Sequence, residues 1–455
     1  MSILPIDTGR YGTLEMKRIF QEETLLQKML DVESALAWAH AEVGNIPRED
    51  AERIVLRASA RYVKIDRIKE IEHEIKHDIA SIVRALTEAC GTSGAYVHLG
   101  ATSYDIVDTA RALQFKQALK IIEEKLSRLE KTLMNKSLKY KGTLMMGRTH
   151  GQHALPITLG FKFSVWMREI SRHIERLRQC SKRLLVGKMT GAVGVQAGLG
   201  PHAQKIQTLV MQRLGISPAE ISTQIIQRDR HAEFLCLLAM IASTLDNFAT
   251  EIRQLQRPEI AEVFEAFKLE KRVGSSTMPH KQDPETCETI CSLAKIMRSL
   301  VVPALENMIT WHERDMTQSA AERFILPEGC ILIDHMLLSM NDVVTNLHVD
   351  EERMRKNMEL TQGRSMSEAV MIALTRKNMS RQEAHELLRK LAVKSKRKRR
   401  DFRKVLLQNG TVSEKLNEEQ IDEALNPSNY LGTAIEQVEQ MIEKTRKQRN
   451  VRAIT

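Results

Sequence analysis

The sequence predicts an all-α fold built on a bundle of long helices, and three observations lead to this prediction. The 455 residues include only 21 glycines and 11 prolines, well below the roughly 12 % of average usage, so few positions interrupt a helix. Aromatic residues make up 4 % of the chain, which disfavours a core of β-strands. Two stretches repeat apolar residues every 3.5 positions, the spacing that keeps one apolar seam facing neighbouring helices.

The two seams predict helices that extend across a large part of the molecule. The clearer seam consists of Phe234, Leu238, Ile241, Leu245, Phe248, Ile252 and Leu255. The second consists of Leu119, Ile122, Leu126, Leu129 and Leu133. Its segment, 109–140, has no glycine or proline and extends about 48 Å as a helix. Helices of this length rarely bury their seams within one small domain, so we expect other copies of the chain to complete the bundle.

Chain length and the polar, glycine-containing breaks between helices predict three domains. A chain of 455 residues exceeds the usual size of one domain, which is roughly 100 to 200 residues. We expect an N-terminal helical domain over 1–105 and a central long-helix bundle over 106–360, with a functional loop at 273–285. A C-terminal helical domain would then cover 361–455 and include a basic segment at 389–404.

Composition indicates a globular protein without a membrane span. Hydrophobic residues make up 42 % of the chain and charged residues 28 %, and no apolar run approaches the roughly 18 residues that a span needs. The N-terminal residues lack the features of a secretory signal, so the prediction is a cytoplasmic protein. The six cysteines form no CxxC pair and no Cys/His metal spacing, which favours reduced thiols.

The positive net charge is concentrated in one segment. The formal charge is +10, and residues 389–404 contain ten lysines and arginines against one acid, Asp401. The rest of the chain is nearly neutral. The segment has one aromatic residue, Phe402, and so lacks the interleaved aromatics that stack on single-stranded nucleic acid. A solvated helix is therefore favoured over a nucleic-acid surface.

Three polar strings, in order along the chain, carry the functional prediction. They are VHLGATSYDIVDTA at 97–110, MGRTHGQHALP at 146–156 and GSSTMPHKQDP at 274–284. In the third, glycine followed by two serines supplies hydroxyls and backbone N–H groups, and Lys281 supplies a positive charge, a set that suits an anion. All three strings resemble segments of the fumarase/aspartase superfamily, whose members eliminate fumarate or a related acid.

Further detail resembles the adenylosuccinate lyase family within that superfamily. The matching strings are TQIIQRDRHAEF at 223–234, WHERDMTQSAAERFILP at 311–327 and Lys76–His77–Asp78, and the resemblance covers nearly all of 1–360. It implies a fumarase/aspartase-like three-domain fold and a homotetramer with shared active sites. It also implies elimination of fumarate from adenylosuccinate to give AMP, and from the succinyl-carboxamide ribotide (SAICAR) to give AICAR.

Such an elimination requires a base for a proton beside a carboxylate, donors for the resulting aci-carboxylate and an acid for the leaving nitrogen. The resemblance implies that His150, paired with Glu288, is the acid, and that Ser275 is the base. Lys281 would stabilise the serine alkoxide. His77 and His98 are expected to contact the phosphate and polarise the substrate.

The resemblance also implies a set of substrate-binding residues: Arg10, Tyr11, His98, Thr102, Ser103, Thr149, Gln224, Arg228, Ser276, Met278, Asp283, Arg314, Ser319 and Arg323. Some of these positions have simpler interpretations. Thr102 and Ser103, followed by Asp105, equally fit a helix cap, and Ser276 equally fits loop packing. The spacing from Arg314 through Ser319 to Arg323 would spread these side chains around one helix, so we expect a loop or bend there.

Two departures from the family pattern keep alternatives open. Asp283 stands where the family has asparagine, which removes a hydrogen-bond donor, and 318–320 reads QSA where the family reads HSS. An argininosuccinate lyase or a carboxymuconate cycloisomerase is the first alternative, and His150 argues against both. A weakened relative that binds nucleic acid through its basic segment is the second. No metal or organic cofactor is expected, because the reaction is acid–base chemistry and no P-loop or dinucleotide fingerprint occurs.

Overall fold

A computed structural model of the chain describes residues 3–266, 277–278 and 280–454. Over these ranges helices dominate and the strands are short, so the all-α prediction is confirmed. The helices are α1 (Leu14–Ile19), α2 (Glu22–Glu42), α3 (Arg48–Arg57), α4 (Ile65–Ile75), α5 (Asp78–Cys90), α6 (Ser103–Lys139), α7 (Leu159–Leu184), α8 (Ala203–Leu214), α9 (Asp229–Gln256), α10 (Glu285–Ser299), α11 (Val301–Glu306), α12 (Thr317–Asn346), α13 (Glu351–Glu359), α14 (Ser367–Arg376), α15 (Arg381–Lys398), α16 (Phe402–Leu407), α17 (Gly410–Ser413), α18 (Glu418–Leu425) and α19 (Ala434–Ile454).

The strands form small two-stranded pairs rather than a layer of their own. They are β1 (Leu144–Thr149), β2 (Gln152–Thr158), β3 (Val186–Gly187), β4 (Ser217–Pro218), β5 (Val263–Phe264) and β6 (His348–Val349). β1 pairs with β2 and β5 with β6 in antiparallel register, whereas β3 and β4 are parallel. Short 3-10 turns lie at Gly91–Tyr96, Ala197–Leu199, Arg364–Met366 and Pro427–Tyr430.

The chain divides into two compact units. Unit 1 comprises 1–127, 172–246 and 290–339, and unit 2 comprises 128–171, 247–289 and 340–455. The boundaries between the units fall inside five helices, α6, α7, α9, α10 and α12. Domain boundaries near residues 105 and 360 therefore stay a prediction.

Both predicted seams are buried. Every side chain of the α9 seam from Phe234 to Leu255 is at most 3 % exposed, and every side chain of the α6 seam from Leu119 to Leu133 is at most 5 % exposed. The seams are thus confirmed as core positions. Packing within this one chain already removes both seams from water, and completion of the bundle by other copies stays a prediction.

Each unit has an apolar core of its own. In unit 1, one cluster joins the side chains of α2, the start of α6 and α8, and another joins the opposite side of α2 with α3, α4 and α5. In unit 2, the helices α14 to α18 enclose a separate cluster around Leu388, Phe402 and Val412. The C-terminal helices therefore bury enough apolar surface to form a local core.

Among the described residues, α9 is long and apolar enough to cross a membrane by length and composition alone. α9 contains an 18-residue window with a mean hydropathy of 1.4, and 67 % of that window is buried within the protein. The apolar seam explains its composition, since a core helix needs the same residues.

The basic segment is helical through the end of α15 and makes some local ion pairs. Arg389 contacts Glu386 with two hydrogen bonds of 2.7 and 2.8 Å. Arg403 pairs with Asp422 and Glu418. These pairs are exposed to solvent and contribute little to stability.

A buried ion network organises the interior of unit 1. Arg228 lies just before α9 and donates to Asp108 of α6 at 2.9 and 3.0 Å and to Glu322 of α12 at 3.3 Å. His231 lies 3.0 Å from the other oxygen of Glu322. The Arg228 side chain is 1 % exposed, so these contacts replace all of its hydration.

The network predicts a pH dependence of stability. Burial raises the pKa of Glu322. The charge of Arg228, the hydrogen bond and charge of His231 and the charge of Arg111 together lower it by more, so the pKa is about 2. A carboxyl whose pKa is lower in the folded state stabilises the fold above its unfolded pKa of about 4.5. We therefore expect urea midpoints to fall as the pH drops from about 4.5 towards 2.

Two variants separate this effect from general acid unfolding. Glu322→Gln should cost about 3 kcal/mol or more at neutral pH, because it leaves Arg228 incompletely paired, and it should flatten the acid limb. Glu386→Gln is the control, since the pKa of Glu386 is also about 2 but its side chain is about half exposed to solvent. Equal acid limbs in wild type and Glu322→Gln would contradict this account.

Candidate active site

Unit 1 contains a cavity of about 540 Å³ that brings several predicted site residues together. Its walls come from α2, α4, α5, the first turns of α6 and the segment that enters α12. Five predicted residues line it: His77, Ser103, Arg314, Ser319 and Arg323. The other polar or charged lining residues, which were not predicted as site residues, are Glu22, Lys69, Glu72, Lys76, Asp78, Tyr104, Arg111 and Glu322. Cationic side chains and hydroxyls in one concavity suit an anionic ligand.

His77 occupies the N-cap of α5. Its Nδ1 accepts a hydrogen bond of 3.2 Å from the backbone N–H of Ala80. A neutral ring that accepts at Nδ1 carries its proton on Nε2. The cap therefore leaves His77 with an N–H that can donate to a bound anion.

The expected bend between Arg314 and Arg323 is confirmed. Arg314 lies in the segment before α12, whereas Ser319 and Arg323 lie in its first two turns. Because they are four residues apart on a helix, Ser319 and Arg323 share one face. Arg323 also pairs with Asp78 at 2.7 Å, and both side chains are largely exposed, so this pair costs little to exchange for a ligand anion.

Arg314 is held on one face and one edge. Its Cζ lies 3.7 Å from the centroid of the Tyr104 ring, and its Nη1 donates to Oε1 of Gln224 at 2.9 Å. Gln224 in turn donates to the carbonyl of Ala192 at 2.8 Å. The predicted residue Gln224 thus orients Arg314.

Arg228 does not reach the cavity as a free cation. Its guanidinium donates to Asp108, to Glu322 and to the carbonyl of Ile226, and its side chain is 1 % exposed. Arg228 therefore binds the carboxylates of Asp108 and Glu322 and not a carboxylate of a ligand. Its burial excludes a solvated position for Arg228.

His98 is held by a buried carboxylate. Its Nδ1 lies 2.6 Å from Oε1 of Glu33, and the Glu33 side chain is 1 % exposed. Burial lowers the pKa of His98, but the hydrogen bond and charge of Glu33, with the charge of Asp105, raise it more, so the net pKa is raised. Glu33 and Asp105 therefore favour the protonated form of His98.

The 102–105 segment forms a helix cap, as one of its two interpretations predicted. Asp105 accepts from the backbone N–H of Thr102 at 2.9 Å. It also accepts from the backbone N–H groups of Thr190 and Gly191 at 2.9 and 3.0 Å and pairs with buried Lys188. The segment is thereby fixed next to the cavity that Ser103 lines.

Arg10 and Tyr11 lie near the N-terminus of unit 1. The Arg10 side chain is exposed and its Cζ is 6.0 Å from the centroid of the Tyr11 ring. The Tyr11 ring packs edge-on against His335 with centroids 5.3 Å apart. Neither residue lines the cavity in the part of the chain that the structure describes.

In unit 2, His150 lies at the tip of the hairpin between β1 and β2. His150 and Gly151 have φ values of +53° and +71°, the combination of a type I′ turn. Thr149 ends β1 and pairs with Gln152. A left-handed conformation at a residue other than glycine is uncommon and is often found at functional sites.

A buried carboxylate, Glu262, binds the β1 strand of this hairpin through Arg148. Arg148 donates to Glu262 at 2.6 and 2.9 Å, and Asn357 donates to the same carboxylate at 2.8 Å. Glu262 is fully buried. The part of β1 next to the tip is thus held by a buried ion pair, whereas the His150 side chain at the tip is exposed.

The expected pairing of His150 with Glu288 is not made within this chain. Glu288 lies in the first turn of α10, is 54 % exposed and has Arg253 as a neighbour at 3.9 Å. Over the described ranges, no hydrogen bond or ion pair joins Glu288 to His150. The pairing stays a prediction.

Much of the signature loop lies outside the described residues, including Ser275 and Ser276. Of its described part, Met278 is 43 % exposed. Lys281 pairs with Asp283 at 3.1 Å, so the residue that departs from the family pattern has a cation beside it. Both residues and Glu288 line a second cavity of about 580 Å³ within unit 2.

Comparisons with known proteins agree on one family. A family model described as "Lyase" matches residues 9–297, and one described as "Adenylosuccinate lyase C-terminus" matches residues 363–441. The C-terminal match adds a region for which the motifs gave no evidence.

Individual relatives match over nearly their full lengths. The adenylosuccinate lyase of Pyrococcus horikoshii is 52 % identical over 97 % of this chain and 98 % of its own. That of Methanothermobacter thermautotrophicus is 49 % identical over 98 % and 100 %. Among solved structures, the 3-carboxy-cis,cis-muconate lactonizing enzyme of Pseudomonas putida has a TM-score of 0.88 and 33 % identity, over 98 % and 99 % of the two chains.

Proposed function

We propose that this chain, which belongs to the adenylosuccinate lyase family, eliminates fumarate from adenylosuccinate and leaves AMP. The observation that carries the proposal from the structure is the unit 1 cavity, which gathers three guanidinium groups, two serine hydroxyls and a histidine N–H. A nucleoside monophosphate needs such donors for its phosphate. SAICAR has the same phosphate and succinylamino groups, so the same site would convert it to AICAR.

The phosphate is assigned to Arg314, Ser319, Arg323 and His77. Arg314 and Arg323 supply positive charge, and Ser319 and His77 supply neutral donors. Arg323 exchanges its exposed partner Asp78 for the phosphate. This exchange leaves the number of ion pairs of Arg323 unchanged.

The succinyl group requires donors of its own, because it carries two carboxylates. His98 is suited to this role, since Glu33 favours its cationic form. Thr102 and Ser103 add hydroxyls at the start of α6. These three residues are near one another in the chain, so one segment can bind one carboxylate.

The reaction is an elimination in which two protons move. The Ser275 alkoxide removes a proton from the carbon beside one carboxylate, and the electron pair passes into that carboxylate as an aci form. The pair then forms the carbon–carbon double bond of fumarate as the C–N bond breaks. His150 donates its proton to the departing nitrogen, and Lys281 stabilises the serine alkoxide.

The active enzyme is a cytoplasmic homotetramer in which copies of the chain share each active site. Two observations support association. Glu288 and His150 make no contact in one chain, and unit 1 exposes large apolar side chains: Val302 at 63 %, Ile309 at 68 %, Trp311 at 76 % and Phe324 at 65 %. Burial of such side chains between copies is favourable.

Fumarate release from adenylosuccinate tests the proposed function. Purified protein should release fumarate and AMP in equal amounts, and His150→Ala should lower kcat about 100-fold or more, because it removes the proposed general acid. Release should be followed by absorbance and by chromatography of both products.

Other outcomes would reassign the protein. No release over a range of pH and temperature would overturn the proposal. Cleavage of argininosuccinate instead, or cyclisation of carboxymuconate, would assign the corresponding activity. His153→Ala is a matched control, because His153 lies in β2 of the same hairpin and has no proposed role.

Mixing inactive variants tests whether sites are shared. His150→Ala and Ser275→Ala chains are unfolded, mixed and reassembled. If the two residues of one site come from different chains, some mixed sites contain both wild-type groups and activity returns. Reassembly of either variant alone is the control, and sedimentation checks the size of each sample. Properly assembled but inactive hybrids would argue against shared sites.

The Lys281–Asp283 pair predicts that Asp283 needs no protonation for activity. Because Lys281 offsets its charge, Asp283→Asn should leave the shape of the pH–rate profile unchanged, with kcat/KM within about three-fold. Activity that persists to higher pH in the asparagine variant would contradict this. Asp342→Asn, which changes an aspartate on α12 outside the proposed site, controls for the loss of one surface charge.

A further inference from the structure

Tyr104 is the second residue of α6 and lines the unit 1 cavity. Its side chain is 6 % exposed, and two arginine guanidinium groups lie near its ring. The Cζ of Arg314 is 3.7 Å from the ring centroid and that of Arg228 is 5.7 Å. Its hydroxyl donates to Oγ of Ser319 at 3.2 Å. No part of the proposed reaction uses this residue.

We propose that Tyr104 is a positioning residue that sets Arg314 and Ser319 for a phosphate. This inference rests on the proposed function, because it assumes that these two residues bind the phosphate of the substrate. Tyr104 itself does not contact the phosphate in this account. It acts through the two residues that do.

The stack on Arg314 fixes the plane of the guanidinium without using its donors. The N–H groups of a guanidinium point outward in its plane. Tyr104 covers a face and Gln224 accepts at one edge. Nε of Arg314 is buried and has no hydrogen-bond partner among the described residues, so no acceptor in that part of the protein competes for this donor.

The hydrogen bond from the Tyr104 hydroxyl fixes the direction in which the Ser319 hydroxyl points its own proton. A serine hydroxyl has one donor and two acceptor sites. When Oγ accepts from Tyr104, its own proton is directed elsewhere and can be donated to a phosphate oxygen. Phenylalanine at 104 would keep the stack but lose this selection.

The position of the ring is in turn fixed by the buried ion network. Arg228 is the second cation near the Tyr104 ring, and its guanidinium is held by Asp108 and Glu322. Tyr104 and Asp108 are four residues apart on α6 and so lie on the same face. The ring therefore cannot follow a displaced Arg314 without disturbing buried charges.

Preorganisation of this kind lowers the entropy cost of binding. Its loss should weaken the phosphate contact, which is remote from the C–N bond that breaks. The expected signature is a raised KM with little change in kcat. An effect confined to phosphate-bearing ligands would separate positioning from packing.

Two substitutions separate the two contacts. Tyr104→Phe removes the hydrogen bond alone, and we expect KM for adenylosuccinate to rise about five-fold. Tyr104→Leu also removes the stack, and we expect a rise of about 50-fold. In both, kcat should stay within about two-fold. Tyr62→Leu is the matched control, because it removes an Arg–Tyr stack of 4.4 Å with Arg57 that lies outside the cavity.

Inhibition by AMP and by adenosine provides the second readout. The inhibition constant of AMP should rise in parallel with KM in the Tyr104 variants, whereas that of adenosine should stay within about two-fold. Unchanged AMP inhibition in Tyr104→Leu would overturn the inference. Equal weakening of AMP and adenosine would also overturn it, because that result indicates general packing.

The test distinguishes this inference from the proposed function. If the wild type does not cleave adenylosuccinate, the proposed function fails, and calorimetry of AMP binding to wild type and variants still decides the role of Tyr104. Thermal melts show whether each variant is folded. If Tyr104→Leu does not fold, the five-fold change expected for Tyr104→Phe remains decisive.

Discussion

The interior of unit 1 depends on the burial of one guanidinium. Arg228 is removed from water, and a buried cation is tolerated only when fixed carboxylates replace its hydration. Asp108 and Glu322 supply them from α6 and α12. This requirement aligns the two helices, and the residues next to these acids then face the cavity: Tyr104 one turn before Asp108, and Ser319 and Arg323 beside Glu322.

Unit 2 follows the same physical rule around a different charge. Glu262 is fully buried and is satisfied by Arg148 and Asn357. Arg148 is in β1, two residues before His150, so the ion pair anchors the hairpin while its tip stays open to solvent. In both units, the buried ion pairs have a structural role, and the polar side chains beside them are available to bind a ligand. That division explains why Arg228, a candidate ligand-binding residue by resemblance, serves as a structural cation here.

Local patterns in the sequence predicted the buried faces of helices, the break before α12 and several residues of the cavity in unit 1. The 3.5-residue spacing identified the buried side of α6 and α9, because helix geometry alone decides which residues share a face. The spacing of Arg314, Ser319 and Arg323 predicted the break before α12, because one helix could not present all three together. The motifs predicted five residues that converge on the cavity of unit 1. Among described residues, His150 and Glu288 were expected to meet and do not meet within one chain.

The sequence by itself determined the helical class, the apolar seams and the family to which the motifs belong. Only the tertiary structure decided which charges are structural. Arg228 meets Asp108 across 120 positions of the chain and Glu322 across 94, and Arg148 meets Glu262 across 114. Periodicity and motif spacing report on neighbours within a few turns, whereas such pairs form only when distant helices pack and remove water. The contacts of Tyr104 with Arg314 and Ser319 depend on the same packing, so no local pattern could reveal them.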